Sequence, residues 1–258
     1  MGNFILKIMF LNFFPLLYLP LTILPLANDV QPNPGPGRAA PCRVLYSNIR
    51  GLYRNISELS LVARDFDILV CSETLVTSRR HSSEIAISGF SSPLLRLADS
   101  GPGVRGMAVY TRNGFPSSRQ RRYECDCCQM TIIRVCGSQL NTYVFGLYRS
   151  PSVNDGIYDC ILASMASIQA ADRKASFVFV GDLNGHHAEW LGSPRTDRHG
   201  EAAYDFCCAA GCTQLVSEPT HQFGGVLDLV MTDVPDLVDA DVRAPIGNSL
   251  IIHPLVSR

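Results

Sequence analysis

Five short stretches of the chain carry polar residues directly after an apolar run, and their residue types suit phosphodiester hydrolysis. Asn48 stands in Tyr46-Ser47-Asn48-Ile49-Arg50-Gly51-Leu52, and Glu73 follows Asp67-Ile68-Leu69-Val70-Cys71-Ser72. Tyr148 and Arg149 end Phe145-Gly146-Leu147-Tyr148-Arg149-Ser150-Pro151, and Asp228 lies in Gly225-Val226-Leu227-Asp228-Leu229-Val230-Met231. Asp182 and Asn184 end Phe177-Val178-Phe179-Val180-Gly181-Asp182-Leu183-Asn184-Gly185-His186-His187. Cleaving a phosphodiester takes a cation to neutralise phosphate oxygens, a base to activate water, and donors to hold the developing charge. Mg²⁺ takes oxygen ligands and keeps several waters, so one or two carboxylates suffice to bind it. Taken singly, each residue reads equally well as a turn former or a helix cap. Asp182-Leu183-Asn184 is the strongest piece, because alternate residues of an extended chain point the same way.

Positioning such residues is the work of the apolar runs before them. β-type runs fall at 43–47, 67–72, 107–111, 130–136, 142–148, 176–180, 227–231 and near 250–256. Helical patterns fall at about 56–64, 155–171 and 201–210, the last ending at Gly211. Several consecutive strands without a crossover helix argue against a doubly wound parallel sheet. They predict an α/β sandwich, two mixed sheets packed face to face with helices outside.

The 258 residues divide unevenly. Residues 4–26 are strongly apolar but broken by Lys7, Asn12 and prolines, so 1–27 reads as a signal-like hydrophobic leader rather than a clean membrane span. The remainder, from Cys42 to Arg258, fits one large domain that needs no staples to bury a core. With 47% hydrophobic and 17% charged residues and a net charge of −1, the chain is globular and offers polyanions no bulk attraction. Any nucleic-acid contact then rests on local patches. Arg119, Arg121 and Arg122, backed by Arg112, are the candidate patch, with a solvated charged loop as the alternative. Cys125 and Cys128 form a lone CxxC with no partner motif at zinc spacing, and Cys207, Cys208 and Cys212 fall in an apolar helical stretch. Most of the ten cysteines are therefore expected to be reduced core residues of an intracellular protein, with a cysteine metal site as the lesser alternative.

Asp29-Val30-Gln31-Pro32-Asn33-Pro34-Gly35-Pro36 resembles the 2A-type ribosome-skipping peptides, D-[VI]-E-x-N-P-G-P, with Gln31 in place of Glu. Skipping at this 28–36 motif would leave Gly35 and Pro36 unjoined, so that the leader and the domain at 42–258 become separate products, the second beginning at Pro36. A plain Pro/Gly-rich linker is the alternative. The domain itself, from about Val44 to Val256, resembles the endonuclease/exonuclease/phosphatase family. It is most similar to the apurinic-type endonuclease domain of non-LTR retrotransposons, through N-x-R-G-L, D-I-L-x-x-x-E-T, Y-R-x-P, G-D-L-N-x-H-H and L-D-L-V. The resemblance implies the four-layer αββα sandwich of DNase I-like proteins, DNA as the partner and Mg²⁺ as the cofactor, with Mn²⁺ as its substitute. It implies that Glu73 binds the metal with help from Asn48, that Asp182 handles the proton of the attacking water, and that Asn184 and Tyr148 hold the phosphate. Asp228 would orient a histidine that stabilises charge on phosphorus. Arg50 stands where other branches carry a second metal-associated carboxylate.

The chain departs from that family at its end. Ser-Asp-His is replaced by Ser249-Leu250-Ile251, while His253-Pro254-Leu255-Val256 matches the His-x-Leu-Val ending two residues late. On a strand that shift moves a side chain about 6–7 Å along the same face. His253 is therefore either a recruited catalytic residue or an ordinary strand histidine. His186 and His187 are expected to be structural or DNA-facing, His221 a turn cap, and Trp190 a packing residue with base stacking as the lesser use. The expected activity is nicking of one DNA strand to leave a 3′-hydroxyl, inside the nucleus, with secretory or membrane targeting only for an unskipped product. The altered motif, and a chain ending at Arg258 with no reverse transcriptase after it, raise the alternative of a decayed DNA-binding remnant. A phosphorylated lipid or inositol substrate ranks third.

Overall fold

The computed structural model describes residues 6–11 (backbone only), 42–101, 104–125, 129–151, 156–220 and 225–243. His221, His253, the strand expected near 250–256 and the 28–36 peptide lie outside these. The described residues build two six-stranded mixed sheets. In the first, β2 (Arg43–Asn48) runs parallel to β3 (Ile68–Ser72), and β5 (Met107–Thr111) lies antiparallel to β3 and to β4 (Leu94–Arg96). On the other side of β2 lies β1 (Leu6–Leu11), parallel to β2 and to β12 (Val238–Arg243) and pairing Ile8 with both Val44 and Ala240. A stretch whose composition reads as leader thus forms an interior strand of this sheet.

The second sheet centres on β8 (Asn141–Tyr148) and β9 (Ala175–Asp182), which run parallel. β7 (Gln129–Cys136) and β6 (Ser117–Arg119) extend it antiparallel beyond β8. β11 (Asp228–Thr232) and β10 (Thr213–Gln214) extend it beyond β9. Every strand expected within the described residues is present to within two residues at either end.

Side-chain parity sorts these strands between layers, since successive residues face opposite sides of a sheet. A Cβ on Gly146 would lie 2.8 Å from Val70 Cγ1, so this face of β8 looks directly at the first sheet. Val44, Tyr46, Val70, Met107 and Val109 thereby meet Val144, Val178, Val180 and Val230 in one dry layer. The opposite parity of the first sheet, Leu45, Leu69, Cys71, Ala108 and Tyr110, packs with Leu52 and Leu59 of α1 (Leu52–Val62). That of the second, Phe177 and Phe179, packs under α2 (Ile157–Ala171) and α3 (Arg198–Ala209). Phe206 stacks on Tyr158 at 5.2 Å and meets Phe179 edge-on at 5.4 Å. The result is the α/β/β/α sandwich.

Three local differences from the sequence reading have physical causes. The first helix begins four residues earlier than its apolar pattern, because Asn55 Nδ2 donates to the carbonyls of Ile49 and Gly51 and holds a first turn that lacks a side-chain cap. α3 begins three residues early, capped by Asp197, whose carboxylate accepts from the Gly200 amide. Seven of the described cysteines are free, as expected of most of the ten, but they are not all core residues: Cys125 is disulfide-bonded, Cys136 and Cys208 are exposed, and Cys212 lies past the helix end. Cys42, Cys71 and Cys207 do behave as buried thiols, and burial pushes the Cys71 thiol up to about 12. Among the described residues no helix is long and apolar enough to cross a membrane.

Candidate active site

Asn48, Tyr148, Asp182 and Asp228 all lie on strands with the parity of the inter-sheet face. Asn48 pairs with Ser72 across the first sheet, while Tyr148 and Asp228 flank Asp182 across the second. Parity and register together gather them at one end of the sandwich, where Glu73 leaves β3. The loops that follow are fastened to one another. Ile49, Gly51 and Leu52 donate their amides to the carbonyls of Ser72, Glu73 and Thr74, and the Arg149 amide donates to the Asp182 carbonyl. Gly181 lets β9 and β8 approach closely: a Cβ there would sit 2.0 Å from the Leu147 carbonyl oxygen.

Asn48 is the hub of the cleft. Its Nδ2 donates to Glu73 Oε1 at 3.2 Å and to Asp182 Oδ2 at 3.1 Å, bridging the two sheets. With both amide hydrogens so directed, Oδ1 must be the remaining atom, and it is buried without a hydrogen-bond partner. A buried acceptor without a partner costs about 1–3 kcal/mol. Tyr148 donates its hydroxyl to Glu73 Oε1 at 3.1 Å, and burial and then the Glu73 charge raise its pKa well above the usual tyrosine range. It is therefore a neutral donor at any physiological pH. Beneath these residues Tyr46 and Ser72 share a 2.6 Å hydrogen bond that seals the floor.

Asp182 is 4% exposed, and its carboxyl is held well above the ordinary carboxylate range. Burial is the first cause and the charge of Asp228 the second; the Asn184 amide, which donates to Oδ1 at 2.8 Å, and Asn48 act the other way. Asp228 is equally buried, and its amide donates to the Thr220 hydroxyl at 3.1 Å. Neither Glu73 nor Asp182 has an ion-pair partner among the described residues. The cleft therefore concentrates negative charge around an acceptor with nothing to accept, which is the donor set of a hard cation. Glu73 and Asn48 Oδ1 are the oxygens it would take. No group of three or more His, Cys, Asp or Glu forms a metal cage among the described residues.

Backbone strain marks the same place. Arg50, Glu73, Leu75 and Asn184 are non-glycine residues with φ between 45° and 54°, a conformation costing of order 1–3 kcal/mol each and concentrated at functional sites. For Asn184 this overturns the extended-chain expectation. β9 stops at Asp182, the chain turns, and Asn184 Nδ2 donates to the Arg149 carbonyl at 2.7 Å instead of lying beside Asp182. Arg149, 1% exposed, donates to the carbonyls of Leu183, Asn184 and Ser150 and so fixes the turn. It was legible as part of Y-R-x-P. Arg105 carried no sequence signal, yet this exposed arginine is the positive charge that acts on the Tyr148 hydroxyl.

The arginine patch is corrected. Arg112 donates to the carbonyls of Ala63, Arg64 and Phe66 and pairs with Asp67 at 3.4 Å, so it secures the end of the first helix. Arg119 pairs at 2.7 Å with Glu124, whose side chain is fully buried. Of the four, only Arg121 and Arg122 remain exposed for a ligand.

A fold of two stacked mixed sheets with a carboxylate-lined cleft at the strand ends defines a class, and the chain belongs to it. Residues 45–249 match the Endonuclease/Exonuclease/phosphatase family. Solved structures with the same fold include the endonuclease domain of TRAS1, a telomere-specific non-LTR retrotransposon. It is 16% identical with a TM-score of 0.53, over 76% of this chain and 88% of that one. The AP endonuclease LMAP from Leishmania major is 11% identical with a TM-score of 0.57, over 73% and 78%. The catalytic domain of Xenopus laevis APE2 is 14% identical with a TM-score of 0.52, over 73% and 81%. At these identities the likeness is one of fold. No curated protein matches the chain.

Proposed function

We propose that the protein is a divalent-metal-dependent DNA endonuclease of the retrotransposon target-nicking kind, working in the nucleus. One observation carries the reading: the partnerless buried Oδ1 of Asn48 beside Glu73, where carboxylates from both sheets come together. Mg²⁺, or Mn²⁺ in its place, would neutralise phosphate oxygens and acidify a bound water. Every other element of the chemistry is assigned to the chain. Glu73 and Asn48 hold the cation, and Tyr148 fixes Glu73 while presenting a neutral hydroxyl toward the phosphate. Asp182 accepts the proton of the attacking water, a task helped by a pKa raised by burial and by Asp228. The water oxygen bonds to phosphorus as the bond to the 3′-oxygen breaks, and that oxygen leaves as a hydroxyl after taking up a proton. Asn184 holds the turn carrying Asp182 and reaches phosphate only by releasing the Arg149 carbonyl. Arg105 supplies positive charge at the rim, and His253 is the candidate for stabilising charge on phosphorus.

The end chemistry tests this. Supercoiled plasmid nicked by the full chain with Mg²⁺ should prime a DNA polymerase directly, because the strand ends in a 3′-hydroxyl. Nicks that prime only after phosphatase treatment would refute that bond assignment. A second reading, a DNA-binding remnant without activity, is favoured by the replacement of Ser-Asp-His with Ser249-Leu250-Ile251. It predicts DNA retention without any nick.

A further inference from the structure

Three residues beyond Asn184 the chain enters a second cleft that the hydrolytic chemistry does not use. It encloses about 650 Å³ and is lined by His187, Ala188, Glu189, Trp190, Thr196, Glu201 and Tyr204, within the range of small-molecule sites. Its walls are aromatic. The His187 ring stacks on Tyr204 with centroids 5.2 Å apart and planes at 29°, and Trp190 stands edge-on to both, at 6.2 and 5.6 Å. His187 Nδ1 accepts from the Trp190 amide at 3.1 Å, so in the neutral ring the proton is on Nε2, facing Glu201 at 3.7 Å. These rings are held by backbone contact and not by one another alone. A Cβ on Gly200, in the first turn of α3, would lie 2.0 Å from the His186 carbonyl oxygen, so only glycine lets the loop seat here. Tyr204 nevertheless leaves 39% of its surface in water, and the Glu201 side chain 60%. An open aromatic face of this kind is the platform on which a nucleobase stacks.

Charge narrows the ligand. Among the described residues Glu189 and Glu201 line the cleft and no Lys or Arg does, so a phosphate is repelled from it. A carboxylate only accepts hydrogen bonds and therefore favours a base that presents an amino group, as cytosine N4, adenine N6 and guanine N2 do, over thymine. Placement narrows the position: the five residues from Asp182 to His187 span at most about 18 Å, so the cleft begins within about three nucleotides of a phosphate at Asp182.

We propose that this cleft is a nucleobase subsite, stacking an unpaired amino-bearing base on Tyr204 with Trp190 edge-on beside it and Glu201 accepting from the base's amino group. It deepens, and rests on, the endonuclease reading, giving the enzyme a base preference beside the cut. Trp190 is the chain's single tryptophan, which makes the test direct. The full chain, in EDTA so that nothing is cleaved, is titrated with pentanucleotides of deoxycytidine, deoxyadenosine or thymidine and with an abasic backbone of equal length. Cytosine and adenine strands should quench Trp190 saturably, thymine more weakly, and the abasic strand not at all. Tyr204→Ala should weaken binding by about 5- to 100-fold, Tyr204→Phe should restore it, and Glu201→Gln should erase the preference over thymine. Equal quenching by the abasic strand would overturn the subsite, as would loss of binding in Tyr204→Phe. Plasmid nicking is measured in parallel. Nicking without base-dependent quenching removes only the subsite, and quenching without nicking removes only the endonuclease reading.

Discussion

Replacing Asp228 by Asn should make the protein more stable and less active. Asp228 and Asp182 face each other across an antiparallel pair and are each 4% exposed. Opposed side chains in such a pair lie about 5 Å apart, and two like charges at that distance repel by about 3 kcal/mol at an effective dielectric of 20. Asp182 evades part of this by keeping its proton to higher pH, the direction in which burial and Asp228 push it. Neutralising one partner should therefore stabilise the metal-free protein by about 1–3 kcal/mol, or about 2–12 °C in Tm for a domain of this size. The sign of the pH dependence follows. A carboxyl whose folded pKa is raised binds more protons folded than unfolded, so wild-type stability falls as pH climbs above the unfolded value. The advantage of Asp228→Asn must then be full near pH 7 and fade as pH falls toward about 4. Calorimetry in EDTA at both pH values, beside a nicking assay with metal, measures it. A variant less stable than wild type at pH 7, or equally favoured at both pH values, would refute the electrostatic account of the cleft.

Arg149→Lys should lower stability by about 2–4 kcal/mol and cut nicking at least tenfold, because an ammonium cannot span the three carbonyls that the guanidinium fixes; urea unfolding and initial rates check this. Arg119→Ala should cost about 1–2 kcal/mol, because the buried Glu124 loses its bidentate partner but keeps Arg96 and the Ile132 amide, whereas Arg121→Ala should leave stability unchanged and lower DNA affinity in a salt-dependent way. His253→Ala should abolish nicking without lowering Tm by more than about 2 °C; unchanged rates would make it an ordinary strand histidine.

The fold was legible where apolar runs are continuous and buried on both faces. β8 and β9, Asn-Thr-Tyr-Val-Phe-Gly-Leu-Tyr and Ala-Ser-Phe-Val-Phe-Val-Gly-Asp, are rich in β-branched and aromatic residues, and the same parity that buries Val178 and Val180 points Asp182 into the cleft. Asn48, Glu73, Tyr148, Asp182 and Asp228 could be placed at strand ends from the sequence, and they meet. What could not be read depends on distant partners. Arg112 and Arg119 look like surface charge until the carbonyls of Ala63 and Phe66 and the carboxylate of Glu124 are seen beside them. The turn at Asn184 depends on Arg149, 35 residues away. β1 pairs through its backbone, which apolar composition alone cannot distinguish from a leader. The stacking of His187 on Tyr204 needed α3 to dock on the loop through Gly200, a contact no local pattern encodes.

The central claim is that the cleft between the two sheets cuts DNA with a cation held at Glu73 and Asn48. Its most direct test is nicking of supercoiled plasmid by the full chain, with Mg²⁺ and with EDTA, beside a Glu73→Gln, Asp182→Asn double variant whose folding is verified by circular dichroism. Nicking that needs Mg²⁺ and is lost in the double variant is the predicted result. Folded wild-type protein that retains DNA yet nicks no faster than the variant would contradict the account and leave binding as the function.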